Sequence, residues 1–210
     1  MRVLARFMMA ATDASQFPVA DLPEIAFLGR SNVGKSSVIN SLVGSKIART
    51  SSTPGRTRSI NFFEIRWPGK PRPEVLFTDL PGYGYAKISR EVAQTWPSFI
   101  DPYLRSRPSL ALCLALVDVS VPPQQSDGQL LEFLRTTGRS FLVVATKSDR
   151  LSGNQLTQSL QILRRELSDS ALLAYSAKTG AGRDELWQEI RKAAQNLGRV
   201  AAAESQLKSS

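Results

Sequence analysis

The chain has 210 residues, of which 42% are hydrophobic and 21% charged, a composition typical of a globular domain with a sizeable core. It contains no histidine, which excludes a histidine base and histidine-ligated metals, and its single cysteine excludes an internal disulfide. The formal net charge of +9 favours polyanionic partners such as nucleic acid or an anionic membrane surface. No stretch is long enough to span a bilayer.

Residues 1–23 are interpreted as an N-terminal arm. The opening run of residues 1–11 slightly resembles a signal peptide, but Arg6 interrupts it and no long apolar core follows. It is therefore interpreted as a first strand or arm, and a globular domain is expected over residues 24–199.

A phosphate-binding motif follows the arm. Residues 24–28 predict a buried strand and residues 37–43 an amphipathic helix, and Gly29-Arg30-Ser31-Asn32-Val33-Gly34-Lys35-Ser36 between them matches G-x-x-x-x-G-K-S. The alternative is an ordinary glycine turn between a strand and a helix. The arrangement strand, glycine loop, helix favours the phosphate loop.

The residue types in this loop suit phosphate chemistry. Gly29 and Gly34 permit backbone angles and close approaches that a Cβ would block. Successive backbone N–H groups at the start of a helix form an anion site. Lys35 would reach the β- and γ-phosphates, and the Ser36 hydroxyl would ligate Mg²⁺.

Residues 44–59 form a polar linker, and a connection of this length in a compact domain is usually functional. Residues 60–67 and 75–77 then predict a hairpin around the turn at residues 68–70. The second strand ends at Asp79-Leu80-Pro81-Gly82, about forty residues after the phosphate loop. Asp79 would hold a Mg²⁺-bound water, and Gly82 would present a backbone N–H to a γ-phosphate; the alternative is a plain strand-ending turn.

The remaining elements alternate between helices and strands. Helices are predicted over residues 91–103, with a break at Pro97, and over 124–135, 154–167 and 183–197; strands are predicted over 110–118, 140–145 and 172–175. This order predicts an α/β fold: a mostly parallel sheet of about six strands with one antiparallel edge strand, and helices on both faces. Residues 200–210 are expected to be a disordered tail.

Two later loops suit a guanine base. In Thr146-Lys147-Ser148-Asp149, the Asp149 carboxylate would accept both the N1–H and the N2 amine of guanine, a donor pair that adenine lacks. The stem of Lys147 would lie across the base. Ser176-Ala177-Lys178, after the next strand, would supply N–H groups near the guanine O6. The alternative is a strand-to-helix turn with Asp149 as a helix cap.

Taken together, G-R-S-N-V-G-K-S-S, T-P-G-R-T, I-N-F-F, D-L-P-G-Y-G-Y-A and T-K-S-D resemble the EngB (YihA/YsxC) family of bacterial ribosome-biogenesis GTP-binding proteins, over roughly residues 3–197. The resemblance implies a Ras-like fold, GTP or GDP and Mg²⁺ binding, and slow GTP hydrolysis by a monomer in the cytoplasm. It also implies a role in assembly of the large ribosomal subunit, on which normal cell division and septation depend. Two alternatives remain: a GTPase of another process, such as tRNA modification or metal transport, and a non-enzymatic scaffold that binds RNA or ribosomes.

The resemblance also implies roles for individual residues. Thr57 would complete the Mg²⁺ shell when the γ-phosphate is present, although Thr53 and Ser52 are chemically possible rivals. Asn32 would bind K⁺; the alternative is that it only hydrogen-bonds within the loop. From the geometry of the loop, Arg30 is expected to point outward and not to act in catalysis. Tyr83 stands where many GTPases carry a water-orienting glutamine, which predicts slow intrinsic hydrolysis.

These assignments name Lys35, Asn32, Thr57 and Gly82 as catalytic, and Ser36, Thr57 and Asp79 as metal ligands. The nucleotide-binding residues would be Gly29, Arg30, Ser31, Asn32, Val33, Gly34, Lys35, Ser36 and Ser37; Gly55, Arg56, Thr57, Arg58 and Ser59; Asp79, Leu80, Pro81 and Gly82; and Thr146, Lys147, Ser148, Asp149, Tyr175, Ser176, Ala177 and Lys178.

Positive charge is concentrated in one stretch. Between residues 43 and 73 the only acidic residue is Glu64, against the basic residues Lys46, Arg49, Arg56, Arg58, Arg66, Lys70 and Arg72. We expect this stretch to face ribosomal RNA, with affinity that falls steeply with salt. The alternative is a solvated basic face.

Overall fold

The computed structural model describes residues 3–49, 59–83, 98–167 and 171–207, with side chains up to residue 199. From residue 75 onwards, strands and helices alternate along these residues. The strands and helices are β1 (Leu4–Ala11), β2 (Glu24–Gly29), α1 (Lys35–Val43), β3 (Ile60–Arg66), β4 (Val75–Asp79), α2 (Ile100–Ser106), β5 (Leu110–Asp118), α3 (Gln125–Thr136), β6 (Phe141–Thr146), α4 (Gly153–Glu166), β7 (Leu172–Ala174) and α5 (Arg183–Leu207).

The strands form a seven-stranded sheet in the order β1-β3-β4-β2-β5-β6-β7. Strand β3 is antiparallel to both of its neighbours, and the pairs from β4 to β7 are parallel. The mostly parallel α/β sheet is as predicted. The sheet has seven strands rather than about six, because the arm supplies β1.

The arm joins the sheet through β1. Strand β1 pairs with β3 from Leu4 opposite Arg66 to Ala11 opposite Ile60, with a bulge at Met8. Ala11 is fully buried in the core. Residues 1–23 thus contain an edge strand, not only an arm outside the domain.

Apolar residues cover both faces of the sheet, as expected when helices pack on each side. All six residues of β2 are buried, and in β5 only Ala111 is not. Two hydrophobic clusters result, one that includes α2 and α3 and one that includes α1 and α5. The central strands are therefore fixed on both sides, and so are the loops that follow them.

The parallel strands place their carboxyl ends at one edge of the sheet. Strand β2 leads into the phosphate loop, β4 ends at Asp79, β5 at Asp118 and β6 at Thr146. Ligands of open α/β sheets bind at this edge. The β3–β4 hairpin, which contains Lys70 and Arg72, lies at the opposite end, because β4 begins there.

The helices differ from the prediction at two places. Helix α5 continues to Leu207, so no break occurs near residue 200 where a disordered tail was expected. The helix predicted from Glu91 falls partly on residues 84–97, outside the described residues, and α2 begins at Ile100. In the described part of the chain, no helix is long and apolar enough to cross a membrane.

Candidate nucleotide site

The phosphate loop has the backbone conformation that its glycines allow. Gly34 has φ +104°, and Asn32 is also left-handed, with φ +64°. At Gly29 a Cβ would lie 2.7 Å from a Val33 methyl and 3.0 Å from the Leu116 carbonyl oxygen. A larger residue at Gly29 would separate the loop from β5, so glycine is required there.

The loop ends at the N-terminus of α1, and Gly34 caps this helix without a side-chain hydrogen bond. The first backbone N–H groups of a helix have no acceptor inside the helix. Val38 N–H, which donates to the Gly34 carbonyl, begins the helical ladder. The amides of Lys35, Ser36 and Ser37 therefore precede the ladder and are available to an anion.

Lys35 and Asp79 form an ion pair across the site. The Lys35 Nζ lies 2.7 Å from Asp79 Oδ1, and both side chains are nearly buried. Strand β4 places Asp79 beside β2, with Asp79 opposite Phe27 in the register. The lysine and the carboxylate thus neutralise each other where phosphates and a cation are expected.

The residues fit a Mg²⁺ ion. Among the described residues, no hydrogen bond of good geometry reaches the buried Asp79 Oδ1, although the Lys35 ammonium is close. The described residues contain no cluster of three acidic, histidine or cysteine ligands. Proteins bind Mg²⁺ through one or two oxygen ligands together with phosphates and water. Ser36, in the first turn of α1, offers the hydroxyl.

The base-reading loops lie together at the ends of β6 and β7. The Ser176 hydroxyl donates to Asp149 Oδ1 at 2.6 Å and accepts the backbone N–H of Lys178 and of Thr179. The bond from Ser176 lowers the pKa of Asp149 below its usual value. Asp149 is therefore held as an ionised acceptor, which is what a guanine edge needs.

Two side chains tie the base-reading loop to the phosphate loop. The Thr146 hydroxyl is buried and donates to the Val33 carbonyl at 2.7 Å. Lys147 has φ +61°, and its ammonium donates to the Asn32 carbonyl at 2.8 Å. The stem of Lys147 thus spans from the base loop to the phosphate loop.

Asp118, at the end of β5, holds Lys147 in this position. Its Oδ2 accepts from Lys147 Nζ at 2.6 Å, and its Oδ1 accepts from the backbone N–H and the hydroxyl of Ser120. Burial raises the pKa of Asp118, but the bonds from Lys147 and Ser120 outweigh it and lower the pKa overall. Asp118 was not predicted as a site residue, because its only signal in the sequence is a carboxylate at the end of an apolar run.

One cavity of about 900 Å³ joins the start of α1 to both base loops. This volume suits a nucleotide-sized ligand. It is lined by Gly34, Ser37, Val38, Asn40, Ser41, Gly44, Ser45, Lys46, Thr146, Lys147, Asp149, Arg150, Ala177 and Lys178.

Tyr175 and Ser148 lie behind the cavity wall. Tyr175 is fully buried, and its hydroxyl donates to Ser41 on α1 at 3.0 Å. Ser148 is also buried, and its N–H donates to the Tyr175 carbonyl. The two residues support the base loops and α1.

The segment after Asp79 packs on the phosphate loop. Leu80 and Pro81 are buried, and Leu80 N–H donates to the Phe27 carbonyl. Gly82 lies so close to Ser31 that a Cβ would meet its backbone nitrogen at 3.0 Å. Tyr83 follows with its ring buried, and its carbonyl accepts the Ser31 N–H at 3.1 Å.

Arg30 does not line the cavity, and its side chain pairs with Asp127 on α3. Its Nε donates to Asp127 Oδ1 at 3.0 Å, and the Tyr83 hydroxyl donates to the same oxygen at 3.2 Å. Burial raises the pKa of Asp127, and Arg30 partly offsets this. The sequence did not indicate Asp127 as this partner, because it lies 97 residues further along the chain and only the fold brings it to the loop.

Part of the expected set lies outside the described residues: Gly55, Arg56, Thr57 and Arg58, with the rivals Ser52 and Thr53. Ser59 is described, and its hydroxyl donates to Asn61 at 3.3 Å. Ser59 is not among the residues that line the cavity.

Comparison with known proteins agrees with this geometry. The pattern of a family described as "50S ribosome-binding GTPase" matches residues 24–147. The chain is 63% identical over 194 residues to a Koribacter versatilis protein named probable GTP-binding protein EngB, covering 92% of this chain and 96% of that one. The chain belongs to the EngB family of GTP-binding proteins. A protein of the same name from Acidobacterium capsulatum is 60% identical over 195 residues, covering 92% of each chain.

Solved structures show the same fold. A crystal structure of a probable GTP-binding protein EngB superposes with a TM-score of 0.62 at 22% identity, over 82% of this chain and 99% of that one. An Aquifex aeolicus Era variant bound to GDP and AlF4⁻ gives a TM-score of 0.67 at 22% identity, over 82% of this chain and 57% of that one. The Ras-like fold expected from the sequence is confirmed, and membership of a GTPase family supports GTP hydrolysis. GTPases of this kind bind GTP or GDP with Mg²⁺.

Proposed function

We propose that this EngB-family protein is a slow GTPase switch in the cytoplasm that acts in assembly of the large ribosomal subunit, and that normal cell division depends on it. The observation that carries the proposal is the cavity that joins α1 to both base loops, because a guanine nucleotide placed there spans the two ends of the site. The family description, which names 50S ribosome binding, supports the choice of partner.

In this proposal the base binds between Lys147 and the Asp149 carboxylate. The α1 amides and Lys35 hold the β- and γ-phosphates, and Gly82 donates its N–H to the γ-phosphate. Ser36, Thr57 and Asp79 hold the Mg²⁺, which when bound neutralises charge on the phosphates. Thr57 and Gly82 therefore distinguish GTP from GDP.

Hydrolysis is expected to be slow because Tyr83 cannot orient the attacking water. Its ring is buried and its hydroxyl already donates to Asp127. Asn32 is proposed to bind K⁺, which would supply positive charge beside the phosphates. Asn32 is exposed and left-handed, and its carbonyl accepts from Lys147. Within the described residues its side-chain amide has no hydrogen-bond partner, so the side chain could take a ligand.

The basic stretch is proposed to face ribosomal RNA, but its described members lie in two places. Lys46 lines the nucleotide cavity, and Arg49 follows it nearby in the chain. Lys70 and Arg72 are exposed at the opposite end of the sheet. Of these described residues, only Lys46 and Arg49 lie where a change of bound nucleotide could affect them directly.

Co-sedimentation with ribosomal subunits tests this proposal, in GMPPNP, GDP and no nucleotide. We expect binding to the large subunit in GMPPNP and at least about tenfold weaker binding in GDP, the equivalent of 1.4 kcal/mol. Arg49→Ala should weaken the GMPPNP-dependent binding, whereas Lys70→Ala/Arg72→Ala should weaken binding in all nucleotide states alike. Equal sedimentation in the three states, or binding indifferent to salt, would count against the switch.

A further inference from the structure

Three segments of the chain meet at the carboxylate of Asp127, outside the nucleotide cavity. Asp127 lies in the first turn of α3, and its side chain is completely buried. Its Oδ1 accepts from Arg30 of the phosphate loop and from Tyr83, while Oδ2 accepts the backbone N–H of Gln124 at 3.3 Å. The carboxylate thus links α3, the phosphate loop and the segment after Asp79.

Backbone contacts reinforce the link. Arg30 and Tyr83 form a parallel β-bridge, and Ser31 N–H donates to the Tyr83 carbonyl. Gly82, which directly precedes Tyr83, packs closely on the same loop, since a hypothetical Cβ would lie 3.1 Å from both Ser31 Cα and Ser31 Oγ. The position of the Gly82 N–H is therefore set by what holds Tyr83.

Because the Asp127 carboxylate is buried, its bonds to Arg30 and Tyr83 are costly to break. An ionised carboxylate without its charged partner is costly to bury, so Asp127 keeps Arg30 in place. Bonds from charged or hydroxyl donors to a carboxylate are stronger than neutral ones. Arg30 is itself mostly buried, which limits the solvent screening of the pair.

We propose that Asp127 is a positioning residue that, through Arg30 and Tyr83, holds Gly82 ready to donate to the γ-phosphate. The proposal rests on the function proposed above, in which Gly82 senses that phosphate. We call the bonds from Arg30 and Tyr83 to Asp127 the latch. Without the latch, Gly82 must become ordered when GTP binds. This ordering lowers the affinity for GTP but not for GDP, because GDP has no γ-phosphate to accept from the Gly82 N–H.

Two variants test the latch by equilibrium titration with mant-GMPPNP and mant-GDP. Asp127→Asn keeps the shape and removes the charge. Since ordering the backbone of one residue costs about 1–2 kcal/mol, its mant-GMPPNP Kd should rise about tenfold. Its mant-GDP Kd should stay within about twofold of the wild-type value. Tyr83→Phe removes only the hydroxyl donor and should raise the mant-GMPPNP Kd about threefold.

Gln124→Ala is the matched control. Gln124 forms a capping box with Asp127 at the start of α3, in which its side chain accepts the backbone N–H of Asp127. It should lower the Tm while leaving the ratio of the two Kd values unchanged. A purely structural role for Asp127 predicts the same behaviour for Asp127→Asn.

The outcomes separate the latch from the proposed function. An unchanged Kd ratio in folded Asp127→Asn and in Tyr83→Phe would overturn the latch while leaving the switch intact. If Asp127→Asn does not fold, an unchanged ratio in Tyr83→Phe alone overturns it. Wild-type protein that binds GDP and GMPPNP equally would instead overturn the γ-phosphate switch itself, and the latch with it.

Discussion

Asp118→Asn should weaken nucleotide binding, although Asp118 does not line the nucleotide cavity. The Asp118 carboxylate accepts from Lys147 Nζ at 2.6 Å, and the two side chains are only 10% and 23% exposed. An asparagine can keep its oxygen toward Ser120, but its NH₂ then faces the ammonium, donor against donor. Lys147 would turn away and release the Asn32 carbonyl.

The magnitude follows from the burial of this pair. A surface pair contributes about 0–1 kcal/mol and breaking a buried one costs about 3–5, so a partly buried pair should cost about 2 kcal/mol. For a domain of this size, that lowers the Tm by about 4–8 °C. Because Lys147 also lies beside the base, GDP should dissociate at least about tenfold faster.

The assay is stopped-flow displacement of mant-GDP, with thermal unfolding of the nucleotide-free protein alongside. Asp101→Asn is the control, since it makes the same chemical change in the exposed pair Asp101–Arg105. If Asp118→Asn and Asp101→Asn have the same rate of GDP dissociation and the same Tm, Asp118 does not support nucleotide binding through Lys147.

Three further changes follow from the site. Thr146→Val leaves the buried Val33 carbonyl without its 2.7 Å donor, so the free energy of unfolding in urea should fall by about 1–3 kcal/mol; a value within 0.5 kcal/mol of wild type would contradict this. Replacing Na⁺ by K⁺ should speed GTP hydrolysis in the wild type but not in Asn32→Ala, and equal rates in all four samples would exclude a role for K⁺ at Asn32. The pKa of Asp149 is lowered, so the carboxylate takes up a proton only below its usual value of 3.8. Mant-GDP affinity should therefore hold from pH 7 to pH 5, and a loss centred near pH 6 in folded protein would show that Asp149 does not titrate as its hydrogen bonds imply.

The elements that carry the site could be predicted because their signals are local in the sequence. The glycine spacing before Lys35, the carboxylate that ends β4 and the Thr146–Asp149 loop each lie within a few residues of an apolar strand. Strand ends of parallel sheets meet at one edge, so these loops had to converge. The structure confirms the positions of those strands and the α/β class.

Contacts between distant residues could not be predicted in this way. Arg30 and Asp127 are 97 residues apart, and Lys147 and Asp118 are 29 apart. A charged residue in a loop or in a first helical turn usually indicates a solvated face. Likewise, the composition of β1 does not indicate which edge of the sheet is free, so its pairing with β3 could not be predicted.

The Lys35–Asp79 pair is expected to make nucleotide binding depend on Mg²⁺. When phosphates take the Lys35 ammonium, the nearly buried Asp79 carboxylate loses its partner beside further negative charge. A divalent cation held by Asp79 would remove that cost, because it would supply positive charge in place of the Lys35 ammonium. Wild-type affinity for mant-GDP should accordingly fall at least about tenfold in EDTA. In Asp79→Asn there is no carboxylate to leave unpaired, so the ratio of affinities with and without Mg²⁺ should shrink. If Mg²⁺ strengthens binding equally in both proteins, Asp79 is not the group whose charge the cation balances.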